Sequence, residues 1–169
     1  MSHEVEIGRG KRGRRAYTLD DIALVPARRT RDPEDVNVGW QIDAYHVDLP
    51  LMAAPKDSVM SPETAIAFVR LGGIGVLDLD GLWTRYEDPE PILDQIAHLG
   101  EEESIATLQR VYSEPIKPAL ITERLKQLRE AGVVVAGKLS PQRVQKHWRA
   151  VVDAGVDLFI IRGSTVSAE

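Results

Sequence analysis

At 169 residues and 43% hydrophobic content the chain can bury one substantial core, and with aromatics at only 5% that core must be filled by Ala, Val, Ile and Leu. The absence of cysteine excludes a disulfide framework and a thiolate metal site, no apolar run approaches the roughly 18–20 residues that cross a bilayer, and the N-terminus lacks the apolar stretch of a signal peptide. On those grounds the chain reads as cytoplasmic with no membrane partner, and a formal net charge of −5 argues against a nucleic-acid-binding surface.

Residues 1–18 read as a flexible N-terminal arm. Its basic cluster, Arg9-Gly10-Lys11-Arg12-Gly13-Arg14-Arg15, is rich in glycine and suits a solvated segment better than an anion site. Residues 19–26 form a short extended segment ended by Pro26. In residues 27–48, Val36, Val38, Trp40 and Ile42 alternate with polar residues, which predicts a strand or a covering loop.

A regular pattern begins at residues 49–54, an apolar run that predicts a buried strand. Ser61-Pro62-Glu63 then starts a helix with a hydroxyl cap, proline at the first position and an acid in the first turn. Ala65, Ile66, Val69 and Leu71 form its predicted buried stripe, and Gly72-Gly73 ends it. Residues 74–77 are the second predicted strand. Two amphipathic stretches follow, one around Ile92, Leu93, Ile96 and Leu99, the other after Glu101-Glu102-Glu103 through Ile105, Leu108 and Val111. Ile121, Leu125 and Leu128 share a helix face that Ala131-Gly132 closes, and residues 133–136 are the third strand. Ser140-Pro141 repeats the earlier helix start, with Val144, Trp148, Val151 and Val152 as apolar contacts, and residues 156–161 are the fourth strand.

Continuous apolar strands alternating with helices imply an α/β fold with a parallel sheet covered by helices. Periodicity alone leaves two architectures open: a compact open sheet of four parallel strands, or the N-terminal half of a TIM (β/α)₈ barrel.

Four blocks carry a family resemblance. Tyr17-Thr18-Leu19-Asp20-Asp21-Ile22-Ala23-Leu24-Val25-Pro26 is similar to the Tyr-Asp-Asp-Val-Leu-Leu-Val-Pro opening of IMP dehydrogenases. Leu49-Pro50-Leu51-Met52-Ala53-Ala54-Pro55-Lys56-Asp57-Ser58-Val59 resembles their first barrel strand and loop, and Leu71-Gly72-Gly73-Ile74-Gly75-Val76-Leu77 their second strand. Ala154-Gly155-Val156-Asp157-Leu158-Phe159-Ile160-Ile161 resembles the fourth. The chain is identified as a member of the IMP dehydrogenase/GMP reductase family, most similar to the actinobacterial relatives without CBS domains. The interval of about 55 residues from Asp78 to Gly132 is too short for a CBS pair.

The resemblance implies that residues 19–169 are a partial (β/α)₈ barrel and that the chain is an N-terminal fragment, with unpaired strand edges that favour self-association. It implies a purine nucleotide oxidoreductase that converts IMP to XMP with NAD in guanine nucleotide metabolism. Alternatives are a GMP reductase using NADPH, or a non-catalytic nucleotide-binding or assembly subunit. The family's covalent chemistry uses a cysteine, whose thiolate is a strong nucleophile; this chain has none, and the fragment itself is expected to be inactive. A homotetramer and a monovalent cation are implied for the full-length protein.

Barrel sites lie on the loops after the C-terminal strand ends. By resemblance, Ala54, Lys56, Asp57 and Ser58 bind the substrate, and Arg162, Gly163, Ser164 and Thr165 hold NAD or NADP. Lys56 stands where the family has methionine, and either meets a ligand oxygen or pairs with Asp57 or Asp80 at the rim. Arg162 stands where an Asp orients the dinucleotide, and its guanidinium either suits a 2′-phosphate or marks a site that no longer holds a dinucleotide. Asp78-Leu79-Asp80 replaces a His-Lys-Asn. The remaining features read as structural: His147 as a solvent-facing residue on a charged helix face, Trp83 and Trp148 as packing residues, and Asp20-Asp21 as a fold-closing motif. Gly72-Gly73-Ile74-Gly75 precedes a strand and so is no dinucleotide fingerprint.

Overall fold

The computed structural model describes residues 4–6, 8–14, 16–23, 25 and 32–163, and the chain divides into two units, residues 1–37 and 38–169. In the first unit β1 (Glu4–Glu6) pairs antiparallel with β2 (Arg12–Arg14), so residues expected as a lead-in arm include a hairpin. Gly8 and Gly10 in its turn have φ of 122° and 72°, which side-chain-bearing residues rarely adopt. Asp20 and Asp21 sit in a single 3₁₀ turn, Leu19–Asp21, where the Asp21 carboxylate accepts bonds from the Thr18 amide and hydroxyl, both at 2.9 Å. Those bonds hold the Asp21 carboxyl below its usual range.

The second unit opens with a hairpin of β3 (Trp40–Ile42) and β4 (Tyr45–Val47), turned at Asp43 with φ of 49°. Its main body is a three-stranded parallel sheet in the order β5 (Val76–Asp78), β6 (Ala136–Leu139), β7 (Leu158–Ile161). The register pairs Val76 with Ala136 and Ala136 with Leu158. Residues 49–54 do not form the expected first strand. They run beside residues 72–74 through bonds from the Leu49, Ile74 and Ala53 amides, each 2.9 Å, and reduce to one parallel bridge, Met52 to Ile74. Each remaining strand starts two or three residues later than expected, because pairing sets its limits. Residues 133–135 are used before the ladder begins: the Val133 amide closes the preceding helix on Leu128, and the Val135 amide donates to Asp157 at 2.8 Å.

Five helices complete the unit among the described residues: α1 (Pro62–Arg70), α2 (Glu90–Ala97), α3 (Glu101–Val111), α4 (Pro118–Glu130) and α5 (Pro141–Asp153). α1 starts as its sequence dictates, with the Ser61 hydroxyl accepting from the Thr64 amide at 3.1 Å and Pro62 at the first position. It ends at Gly72, whose φ of 99° is left-handed.

The two faces of the sheet bury different sets. One face carries Leu77, Leu79, Leu139 and Phe159 against Ala65 of α1, Ile121, Leu125 and Leu128 of α4, and Val151 of α5. Gly75 lets strand and helix approach: a Cβ there would lie 2.5 Å from the Ala65 carbonyl oxygen. The opposite face begins with Ile74, Val76 and Ala136, fully buried with Val47 of the β4 hairpin and flanked by Leu158 and Ile160.

Two helix faces differ from expectation. Leu71 is 75% exposed, and on α5 the buried line runs through Val144, His147 and Val151 while Trp148 and Val152 face outward. His147, expected at the solvent face, is only 2% exposed. Trp148 instead lies under the Arg149 guanidinium, 5.3 Å from its ring centre. The hydropathy of α5 is split between two adjacent stripes, and contact with α4 and the sheet selects the one containing His147. Trp83 is a packing residue as expected, buried and capped by Arg124 at 5.5 Å.

Candidate functional site

Because β5, β6 and β7 are parallel, their C-terminal ends lie together, and an open cleft of about 780 Å³ forms there. Pro55 and Lys56 line it from the loop after the bridged segment, Lys138 from β6, Ser140 and Gln142 from the start of α5, and Arg162 and Gly163 from the residues after β7. Successive side chains on a strand alternate between faces. The face that buries Val76 and Ala136 therefore continues upward into Asp78 and Lys138, and an apolar layer gives way to a charged one.

Lys138 is the centre of that layer. Its ammonium donates to Asp78 Oδ1 at 3.2 Å and to Asp80 Oδ2 at 3.0 Å, with all three side chains less than one-fifth exposed. Asp80 is fixed in turn: its carboxylate accepts from the Ser140 amide at 2.6 Å and the Ser140 hydroxyl at 3.3 Å. The Asp80 carbonyl accepts from the Arg85 guanidinium at 2.9 and 3.1 Å, and Arg85 also reaches the Glu114 carbonyl. Burial opposes the charge on Lys138, but its bonds and attraction to Asp80 and Asp78 outweigh that, and the ammonium titrates above 10.5. Burial pushes the Asp78 carboxyl up, against the pull of the Asp80 amide and Lys138. Lys138 and Gln142 were not singled out from sequence, and Ser140 was singled out as a helix cap. Lys138 sits in a strand of ordinary appearance, and only sheet register sets it between two acids about sixty positions away.

The residues expected at the site separate into two groups. Lys56, Arg162 and Gly163 meet in the large cleft, while Ser164 and Thr165 lie outside the described residues. Ala54 is exposed at the end of the bridged segment and does not line the cleft. Asp57 and Ser58 border two smaller cavities of about 400 and 320 Å³ beside α2 and α3. Asp57 acts there as a tie: its Oδ2 accepts from the Leu82 amide at 2.9 Å and from the Tyr112 hydroxyl, joining three segments. Burial raises the Asp57 pKa, opposed by those two donors, and burial together with Asp57 raises that of Tyr112. Among the described residues Lys56 pairs with neither Asp57, which is held by Leu82 and Tyr112, nor Asp80, which is held by Lys138. No cluster of His, Cys, Asp or Glu among the described residues is arranged to hold a metal ion, and no described helix is long and apolar enough to cross a membrane.

A cleft at the C-terminal ends of parallel strands, lined by loop residues, is the arrangement that α/β enzymes use for ligands. Residues 16–168 match the model of the IMP dehydrogenase / GMP reductase domain. The chain belongs to that family. It is 42% identical to an uncharacterized oxidoreductase of Mycolicibacterium smegmatis over 98% of its own length and 45% of the relative's, and equally to one of Mycobacterium leprae. An inosine-5'-monophosphate dehydrogenase of Methanocaldococcus jannaschii is 39% identical over 64 residues, which is 38% of this chain and 13% of that protein. A solved IMP dehydrogenase/GMP reductase-like protein of Corynebacterium glutamicum superimposes with a TM-score of 0.82 at 42% identity, covering 98% of this chain and 46% of the other. The chain thus spans a little under half the length of the relatives that match it throughout.

Proposed function

We propose that this family member forms the first part of a (β/α)₈ barrel in an oxidoreductase acting on a purine nucleotide with a nicotinamide cofactor. The observation that carries the reading is the meeting of Lys56, Arg162 and Gly163 in one cleft at the strand ends, within a chain matched to the family over residues 16–168. At about 780 Å³ the cleft lies within the usual range for small-molecule and cofactor sites. Its residues suit a phosphate-bearing dinucleotide: cations at Lys56, Lys138 and Arg162, and an unbranched backbone at Gly163, where a Cβ would meet Pro141 at 2.9 Å.

When bound, the nicotinamide supplies hydride transfer. The chain's own residues bind and orient the ligands: Lys56 meets the nucleotide, Arg162, Gly163 and the following Ser164 and Thr165 hold the dinucleotide, and Asp57 fixes the loop carrying Lys56 and Ser58. The absence of cysteine assigns these 169 residues to binding and not to covalent attack on the purine. Conversion of IMP to XMP with NAD is the first reading. Reductive deamination of GMP with NADPH is the second, favoured by Arg162, whose guanidinium can hold a 2′-phosphate by two parallel bonds.

Protein made from the complete reading frame tests both readings through the absorbance of reduced nicotinamide. IMP with NAD should produce it, or GMP with NADPH should consume it. Absence of both reactions, together with no calorimetric binding of IMP or GMP, overturns the assignment.

A further inference from the structure

We propose that Lys138 is an anion-gripping residue, whose remaining N–H, flanked by Arg162 and Lys56, holds an oxyanion of a phosphate or carboxylate group in the cleft. An ammonium carries three donors, and two of those on Lys138 are taken by Asp78 and Asp80 at 3.2 and 3.0 Å. The same side chain lines the cleft, so the third donor is available to an acceptor there. Its position is fixed in advance, because Asp80 is itself held by the Ser140 amide and hydroxyl. A lysine that is usually a mobile point charge is therefore oriented before any ligand arrives.

Charge balance points to the same ligand class. Lys56, Lys138 and Arg162 set three positive charges against the two carboxylates that bracket Lys138, which leaves the cleft one positive charge to be neutralised. Ser140 and Gln142 add polar groups on the same wall. A monoanionic group with several acceptor oxygens satisfies both the spare donor and the net charge, whereas a neutral acceptor satisfies only the donor and a cationic group leaves the charge unbalanced. The inference rests on the cleft being the ligand site of the proposed function, and it adds which residue holds the charged part of the ligand.

The test is an amide NMR titration of the full chain with inorganic phosphate, acetate, adenosine 5′-monophosphate and adenosine. Phosphate or adenosine 5′-monophosphate should shift the amides of Lys138, Ser140 and Gly163, and adenosine should leave them unmoved. Acetate shifting them at lower concentration than phosphate assigns the carboxylate source, and the reverse order assigns phosphate. Lys56→Met and Arg162→Ala, both at exposed positions, should each weaken the anion by about threefold to tenfold, and Lys138→Met by more than tenfold.

Because Lys138→Met leaves two acids unpaired, the variant Lys138→Met/Asp78→Asn/Asp80→Asn keeps the test decisive if the single change does not fold. It makes the cleft more positive, so general electrostatic attraction predicts tighter binding, whereas a direct grip predicts weaker binding. Unchanged or tighter anion binding by the triple variant overturns the proposal, as does the absence of any anion-dependent shift in the parent chain. If the parent protein binds inosine in the cleft but no anion, this inference fails and the purine reading stands. If it binds anions but neither IMP nor GMP, the purine reading fails alone.

Discussion

On the inner face of the sheet, Ile74, Val76 and Ala136 are fully buried under Val47, while two residues further along the same strands Asp78 pairs with Lys138, which lines an open cleft. The two ends use the same alternation and the same hydrogen-bond ladder, yet one is sealed by the β3–β4 hairpin and the other is wet and charged. Stability is concentrated at the closed end, where apolar area leaves water. The open end spends ion pairs and hydrogen bonds on holding side chains in place, and partly exposed pairs contribute modestly to folding.

The largest test of this contrast is Ile74→Ala, which should cost about 2–5 kcal/mol in urea unfolding because it leaves a cavity in the sealed layer. Gly75→Ala comes next: its Cβ would meet backbone atoms of α1 that cannot step aside, and a loss of about 1–3 kcal/mol is expected by the same measurement. At the open end, Lys138→Met removes two charged hydrogen bonds and should cost about 1–3 kcal/mol near neutral pH. That loss should shrink as pH falls through the folded value of Asp78, which lies above 3.8, since the carboxyl then no longer needs a cation. A Lys138→Met cost equal to that of Ile74→Ala at every pH would erase the distinction between the two ends.

The smallest effect is Tyr112→Phe, about 1 kcal/mol, from one hydrogen bond to Asp57. The folded-state pKa of Asp57 is raised, so the folded protein holds that proton more tightly than the unfolded chain does. Its contribution to stability therefore declines as pH climbs from about 3.8 through the folded value, then levels off. Tyr112 supports the ionised form, so the Tyr112→Phe deficit should appear above that window and vanish below it, as melting temperatures across pH 3–8 would show.

Much of the framework was legible in the chain itself. Ser61-Pro62 and Ser140-Pro141 mark helix starts because capping and the fixed proline φ act within one turn. Ile121, Leu125 and Leu128 form a buried stripe because helical spacing puts them on one face, and all three are fully buried. The order of apolar strands and the four motif blocks sufficed for the family, and Lys56 and Arg162 were found to share a cleft as their places in the loops implied.

Other features depended on contacts between segments far apart in sequence. Residues 49–54 are apolar enough for a strand, yet pairing leaves a single bridge at Met52. Val144, His147 and Val151 were chosen as the inward line of α5 over Trp148 and Val152 by the surfaces that α4 and the sheet present. Lys138 carries no local mark, because its meaning comes from sheet register, which sets it beside acids on another strand and loop. Composition and periodicity act over a few residues and determine which elements form and which faces are apolar. Register, helix rotation and the meeting of charges at the strand ends are properties of the packed whole, and only the tertiary structure decided them.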